Sequence, residues 1–171
     1  MKEAVYSHIT HPLQPIYNHD SQILILGSFP SVKSRDNNFY YGNPTNRFWK
    51  VLETLYQTTI IDDNAYKTKF LLENNIAIYD VIKSCDIIQS SDSSIKNVVV
   101  ADIKSIVDNS KITTIYVNGN TAYKLYQKYL EKIVGIKAIK LPSTSAANAR
   151  YSILKLLEKW EVINHKIKFD K

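Results

Sequence analysis

A chain of 171 residues with 44% hydrophobic and 22% charged residues is one domain's worth of ordinary globular composition, which excludes long disorder and collagen-like order. The single cysteine, Cys85, excludes a disulfide framework, a zinc ribbon and a four-cysteine iron–sulfur cluster, and no apolar run nears the roughly 18 residues of a membrane span. The net charge of +6 favours a polyanionic partner, although a lysine-rich surface gives the same sum. Nineteen of the basic residues are Lys; the three Arg are Arg35, Arg47 and Arg150, where a planar guanidinium fork is retained against the trend.

The expected organisation is a single domain over 1–171, with an N-terminal arm (1–20) and a basic tail (161–171). Met1 to Thr10 has no apolar h-region, so a cytoplasmic, reducing compartment without a secretory signal is expected. The arm holds Pro12, Pro15 and three His (His8, His11, His19) whose spacing fits no standard metal site, so they read as unliganded surface residues. Gln22 to Leu26 (QILIL) is a short apolar run ending at Gly27-Ser28, as a buried parallel strand does. Residues 28–45 read as a long ordered loop. From Asn46, the residues Phe48, Trp49, Leu52, Leu55 and Tyr56 recur at helical spacing. Asn64 to Asn74 reads as a second helix and Ile76 to Tyr79 as a second strand. Residues 83–100 form a polar Ser/Asp segment, and Asp102 to Val107 a short helix. Ile112 to Val117 reads as the third strand, Asn120 to Ile133 as a helix and Ile136 to Leu141 as the fourth strand. Ser145 is placed to cap a last helix running to about Trp160.

Strands alternating with helices predict an α/β fold: a three-layer α/β/α sandwich with a central four-stranded parallel sheet. Ligands bind such sheets beyond the carboxyl ends of the strands. Three of those ends carry chemistry: Gly27 to Pro30, Asn118-Gly119 and Leu141 to Ser145. Gly27 admits close backbone approach. Asn46 suits either an N-cap or a functional amide, and Phe39, Tyr40 and Tyr41 either stack on a base or pack in the core. Ser143, Thr144 and Ser145 ahead of a helix, with Arg150 one turn in, suit a phosphate cradle or simple capping. The run Ser90 to Asn97 suits a solvated loop or a phosphate contact. Asp80 ends a strand with no partner carboxylate at useful spacing. There is no G-x-S-x-G, P-loop or G-x-G-x-x-G.

Two long motifs then point further. Gly27 to Trp49 (GSFPSVKSR…FYYGNPTNRFW) with Leu141 to Arg150 (LPSTSAANAR) resembles the uracil-DNA glycosylase superfamily, most closely its hypoxanthine-DNA glycosylase branch. YDVIKSC (Tyr79 to Cys85), SDSSIKN and VNGNTAYKLY (Val117 to Tyr126) are similar to that branch too, so the resemblance spans about residues 11–160. Many superfamily members carry Asp or Asn just before the first motif's Pro; this chain has Phe29 there. The resemblance implies instead a catalytic Asn at the helix start, Asn46, and a second after strand three, Asn118. It implies a base pocket of Gly27, Ser28, Phe29, Phe39 and Tyr40, and DNA-backbone contacts from Ser31, Ser143, Thr144, Ser145 and Arg150. Where the branch often has Pro in the second motif, this chain has Ala146 and Ala147.

The implied activity is a monofunctional DNA glycosylase, free of metal and cofactor, acting as a monomer on double-stranded DNA at the nucleoid. It would flip out a deaminated base, chiefly hypoxanthine, and leave an abasic site after water attack. The alternatives are a mismatch-specific uracil/thymine-DNA glycosylase and a non-catalytic DNA- or nucleotide-binding module of the same fold.

Overall fold

The computed structural model describes residues 3–164. Of the basic tail expected at 161–171, Glu161–Ile163 form a 3-10 turn with Ile163 and Asn164 buried, and the rest, with His165, lies outside the described residues. At the centre are four parallel strands in the order β3-β2-β6-β7: β2 (Ile23–Gly27), β3 (Ile76–Asp80), β6 (Thr114–Asn118) and β7 (Ile139–Leu141). β2 and β3 are buried at every position, which is why their sequences run apolar without alternation.

Helices cover both faces. On one, α2 (Phe48–Leu55) packs on α7 (Ile153–Trp160) through an edge-to-face contact of Phe48 with Trp160, ring centroids 5.9 Å apart. Tyr56, just past α2, meets Phe70 of α3 (Asn64–Glu73) in the same way at 5.4 Å. On the other face lie α4 (Ile103–Asp108), α5 (Asn120–Tyr129) and α6 (Glu131–Val134). Right-handed crossovers require this split, because the chain steps from β2 to β3 in one direction and from β3 back past β2 in the other. The expected three-layer architecture is the observed one.

Several local expectations are corrected. The polar segment 83–100, expected as a loop only over Ser90 to Asn97, carries two strands. It forms β4 (Ile82–Ile87) and β5 (Lys96–Val100) around a 3-10 turn at Asp92–Ser94. With β1 (Ser7–Thr10) they make a second, antiparallel sheet in the order β1-β4-β5. Its buried side, Ile82, Cys85 and Ile87, packs against Phe29, while the outward Lys83 and Asp86 and the exposed turn Ser90 to Ser93 mask the strands in the sequence. The N-terminal arm is accordingly part of the fold: β1 is paired, and His11 and Leu13 are buried. The loop 28–45 contains a short helix, α1 (Val32–Asn37), capped by Ser31. The predicted helix 120–133 divides at Leu130.

The last helix begins at Ile153 under a Ser152 cap, not at Ser145. The cause is Arg47. Its guanidinium collects the carbonyls of Thr144 (3.4 Å), Ser145 (2.9 Å), Asn148 (3.2 Å) and Tyr151, turning them away from any helical ladder.

Strand register sets up everything that follows. Gly27 lies opposite Asp80, Leu26 opposite Val117, and Asn118 opposite Leu141. The carboxyl ends of all four strands are therefore level, and strand order reverses between β2 and β6, where crevices form.

Candidate active site

A cavity of about 200 Å³ opens along that edge, lined from β2 by Gly27 to Ser31, from β3 by Asp80, from β6 by Asn118 and beyond β7 by Ser143 to Ser145. Tyr40, Tyr41 and Asn46 from the first motif complete one wall, and Ser90 and Asp92 the rim. The volume lies below the roughly 300–1,000 Å³ of drug-sized sites, on the scale of one ring system.

Asn46 and Asn118 are joined through Thr144, which is fully buried. Asn118 Nδ2 donates to Thr144 Oγ1 (3.0 Å), and Thr144 Oγ1 donates to Asn46 Oδ1 (2.8 Å). The Thr144 backbone N–H donates back to Asn118 Oδ1 at 3.1 Å. Asn46 Oδ1 also accepts from the Phe48 N–H (3.0 Å), so Asn46 stabilises the start of α2 while its amide lines the cavity. Asn46 thus precedes the N-cap itself, Arg47, and ties the helix start from one residue outside it. Among the described residues Asn118 Nδ2 donates once and Asn46 Nδ2 not at all, so both amides keep hydrogens for a ligand.

The Ser hydroxyls of the second motif brace their own turn: Ser143 Oγ accepts from the Ser145 N–H (3.1 Å) and Ser145 Oγ from the Ala147 N–H (3.2 Å). As acceptors they keep their own protons to donate outward, as a phosphate oxygen requires. Gly119, at φ +95°, makes the sharp exit from β6, and a Cβ there would lie 3.2 Å from Ser143 Cβ.

The charged groups on the cavity wall are two carboxylates, Asp80 and Asp92. Asp80 Oδ2 lies 2.7 Å from His11 Nε2, both side chains almost wholly buried. Asp92 accepts from Ser28 Oγ at 3.1 Å. Asp92 is exposed at the rim, yet crowding of its carboxyl on the cavity side, reinforced by the Asp80 charge, holds it above its ordinary range against the pull of that hydrogen bond. Tyr41 lies flat on Phe48, with centroids 3.9 Å apart, and its backbone takes a left-handed φ of +52°, a strain typical of functional sites. Among the described residues no group of three or more His, Cys, Asp or Glu could hold a metal ion.

Most of the residues singled out from the sequence converge here: Gly27, Ser28, Phe29, Ser31, Tyr40, Asn46, Asn118, Ser143, Thr144 and Ser145 all line the cavity. Two do not. Phe39 stacks on Trp49, at 6.0 Å and 24°, with the Lys67 ammonium above both rings, so its face is taken by the core. Arg150 is exposed in the turn ahead of α7, away from the cavity lining. The hydroxyl of Ser31 donates to Ser34 Oγ and accepts from the Ser34 N–H, both at 3.1 Å, and the Tyr40 hydroxyl donates to the Gln14 carbonyl at 2.6 Å.

Sequence reading missed His11, which is buried against Asp80 and not on a surface arm, and it missed Asp92 and the clamp made by Arg47. The signal for His11 was its place two residues before the apolar Leu13, whose N–H it accepts. For Arg47 it was the retention of a guanidinium in a lysine-rich chain.

The model described as the uracil DNA glycosylase superfamily matches residues 14–166. A hypoxanthine DNA glycosylase of Methanosarcina acetivorans is 34% identical over 151 residues, covering 86% of this chain and 93% of the relative. One from Methanosarcina barkeri is 30% identical over 141 residues, covering 80% and 86%. A solution NMR structure from M. acetivorans, provisionally described as a uracil DNA glycosylase, superposes with a TM-score of 0.77 at 32% identity, covering 91% of this chain and 96% of that one.

Proposed function

The chain belongs to the uracil DNA glycosylase superfamily, and from that premise we propose that it is a DNA glycosylase that hydrolyses the N-glycosidic bond of a deaminated base, chiefly hypoxanthine. The observation that carries this reading is the hydrogen-bonded chain Asn118–Thr144–Asn46 along a base-sized cavity. The relatives named for hypoxanthine favour the purine over uracil.

A base inside a duplex is out of reach, so it is extruded, which costs a few kcal/mol and least for a weakly paired base such as hypoxanthine. The outward protons of Ser143 and Ser145 grip the flanking phosphates, and the basic excess of the chain supplies the long-range attraction. Inside the cavity the bond from C1′ to the base nitrogen breaks first, leaving an oxocarbenium-like sugar and an anionic base. Asn118 Nδ2 and the backbone amides at the Ser28 turn stabilise that anion as fixed dipoles, each such donor contributing ~10²–10³ in rate. Asn46 orients the attacking water. An amide is too weak a base to take a proton early, but a late attack on a preformed cation needs only orientation. The Thr144 hydroxyl can rotate, which frees Asn46 Oδ1 for the water when the substrate arrives.

The test is strand cleavage by alkali after incubation with labelled duplexes that hold hypoxanthine, uracil or a T mispair. Cleavage at hypoxanthine that drops by ~10²-fold or more in Asn46→Ala supports the assignment. Cleavage confined to uracil or the mispair moves the substrate to the pyrimidine. DNA binding without cleavage of any duplex refutes the enzyme.

A further inference from the structure

Two groups on the cavity wall have no task in the reaction above. Asp80 is one. The Leu13 N–H donates to His11 Nδ1 at 3.1 Å, so that nitrogen carries a lone pair and no proton. The ring proton is therefore on Nε2, which donates to Asp80 Oδ2 at 2.7 Å. His11 fixes which carboxylate oxygen is occupied. Among the described residues Asp80 Oδ1 has no donor, and it faces Gly27 so closely that a Cβ there would lie 2.5 Å away. The other group is the Tyr41 hydroxyl, which is buried and has no hydrogen-bond partner among the described residues. Burial and the nearby Asp80 charge push the phenol far above its ordinary range against a weaker pull from the neighbouring Asn118 side chain, so it keeps its proton. A buried orphan hydroxyl is costly, and Phe would pack on Phe48 without that cost. Both atoms lie within 3.2 Å of one point, the place a Gly27 Cβ would occupy. A fixed acceptor thus sits beside a free donor.

We propose that Asp80 Oδ1 and the Tyr41 hydroxyl read the lactam edge of the flipped base, the ring N–H beside a C=O that deamination creates, with His11 as the positioning residue. The inference rests on the cavity being the base pocket. Hypoxanthine offers N1–H to Asp80 and O6 to Tyr41. Adenine turns an N1 lone pair onto the carboxylate, leaving two buried acceptors face to face, and a site built on such bonds rejects the mismatched base strongly. Guanine carries the same edge but sits in a stronger pair, which makes its extrusion dearer.

The experiment measures binding to duplexes whose target sugar is 2′-fluorinated and so resists hydrolysis, carrying hypoxanthine, adenine or unsubstituted purine, which lacks both O6 and N1–H. The wild type is expected to favour hypoxanthine over purine by about tenfold or more, one good hydrogen bond's worth. Tyr41→Phe should remove most of that ratio. Asp80→Asn should do more: His11 Nε2–H still demands an acceptor, so the Asn turns its oxygen to His11 and presents Nδ2, a donor, to the base. Preference should then shift from hypoxanthine toward adenine. A wild type indifferent to the lactam edge overturns the proposal, as do ratios unchanged in both variants. Thermal melting separates loss of recognition from loss of fold, and the wild-type comparison of hypoxanthine with purine needs no variant. Excision of hypoxanthine without this binding preference sinks the edge-reading pair alone. Preference without excision sinks the glycosylase and leaves the pair standing.

Discussion

Replacing Arg47 by Lys keeps the charge and removes the planar fork. The guanidinium holds three good acceptors, the carbonyls of Ser145 (2.9 Å), Asn148 (3.2 Å) and Tyr151, and a marginal one, Thr144 at 3.4 Å. A lysine ammonium on a flexible stem reaches one of these well. Two charge-assisted bonds are then lost, ~1.5–3 kcal/mol each by the usual measure. Water reclaims part of that, because the loop lies at the surface, so the net cost is about 2–4 kcal/mol. For a chain of this size that lowers Tm by roughly 4–16 °C. Thermal unfolding followed by circular dichroism reads the shift, and limited proteolysis reads where it arises: new cuts should appear within residues 142–151 before global unfolding. Because Thr144 rides on this loop, a displacement of about 1 Å should also cost ~10²-fold in turnover. An Arg47→Lys protein that melts like wild type and gains no cuts would refute the clamp.

Further tests follow the same geometry. Gly27→Ala drives a Cβ to 2.5 Å from Asp80 Oδ1; it should cost ~1–3 kcal/mol in urea unfolding and at least about tenfold in turnover, and wild-type values would contradict the close approach. Thr144→Val keeps the shape and deletes both links of the amide chain; ~1–3 kcal/mol of stability should go, with turnover falling further than the fold does, as a comparison of denaturation and excision would reveal. Asp62, Asp86 and Asp102 are held below the ordinary carboxyl range, chiefly by hydrogen bonds from Lys67, Asn97 and Ser105 respectively. Folded, each binds a proton less readily than unfolded, so its stabilisation is complete above about pH 4 and drains away as pH falls through the lower folded values. Asp92, pushed up where the cavity rim crowds its carboxyl beside Asp80, has the opposite sign. Because the residue is exposed, Asp92→Asn should raise Tm at neutral pH only slightly and lose that advantage as pH falls through the Asp92 titration; a pH-independent difference would count against it.

The sheet was legible because its strands are buried on both faces, which writes QILIL and IAIY as continuous apolar runs. The antiparallel sheet was not, because β4 and β5 bury one side only and β4 pairs with β5 through irregular register, breaking the alternation. Within the site, Asn46 and Asn118 were marked by their positions at a helix start and a strand end. Their link through Thr144 joins residues 98 and 26 positions apart, and no local pattern announces it. His11 was hidden for the same reason: its partner lies 69 residues on. Ser145 looked like a helix cap because the competing demand of Arg47 on its carbonyl comes from a distant part of the chain.

The level strand ends have a consequence for when activity can arise. Each strand brings one part of the cavity, and the last part, around Thr144, is made some hundred residues after Asn46. At translation speeds of ~5–20 residues per second, a nascent chain holds Asn46 for roughly 5–20 s before Thr144 exists. Before that, pairing β6 beside β2 brings Tyr116 opposite Ile25 across more than half of the chain, the slow, high-separation kind of step in folding. No early fragment carries a half-working pocket, and the ability to cut a base from DNA emerges only with the final strand.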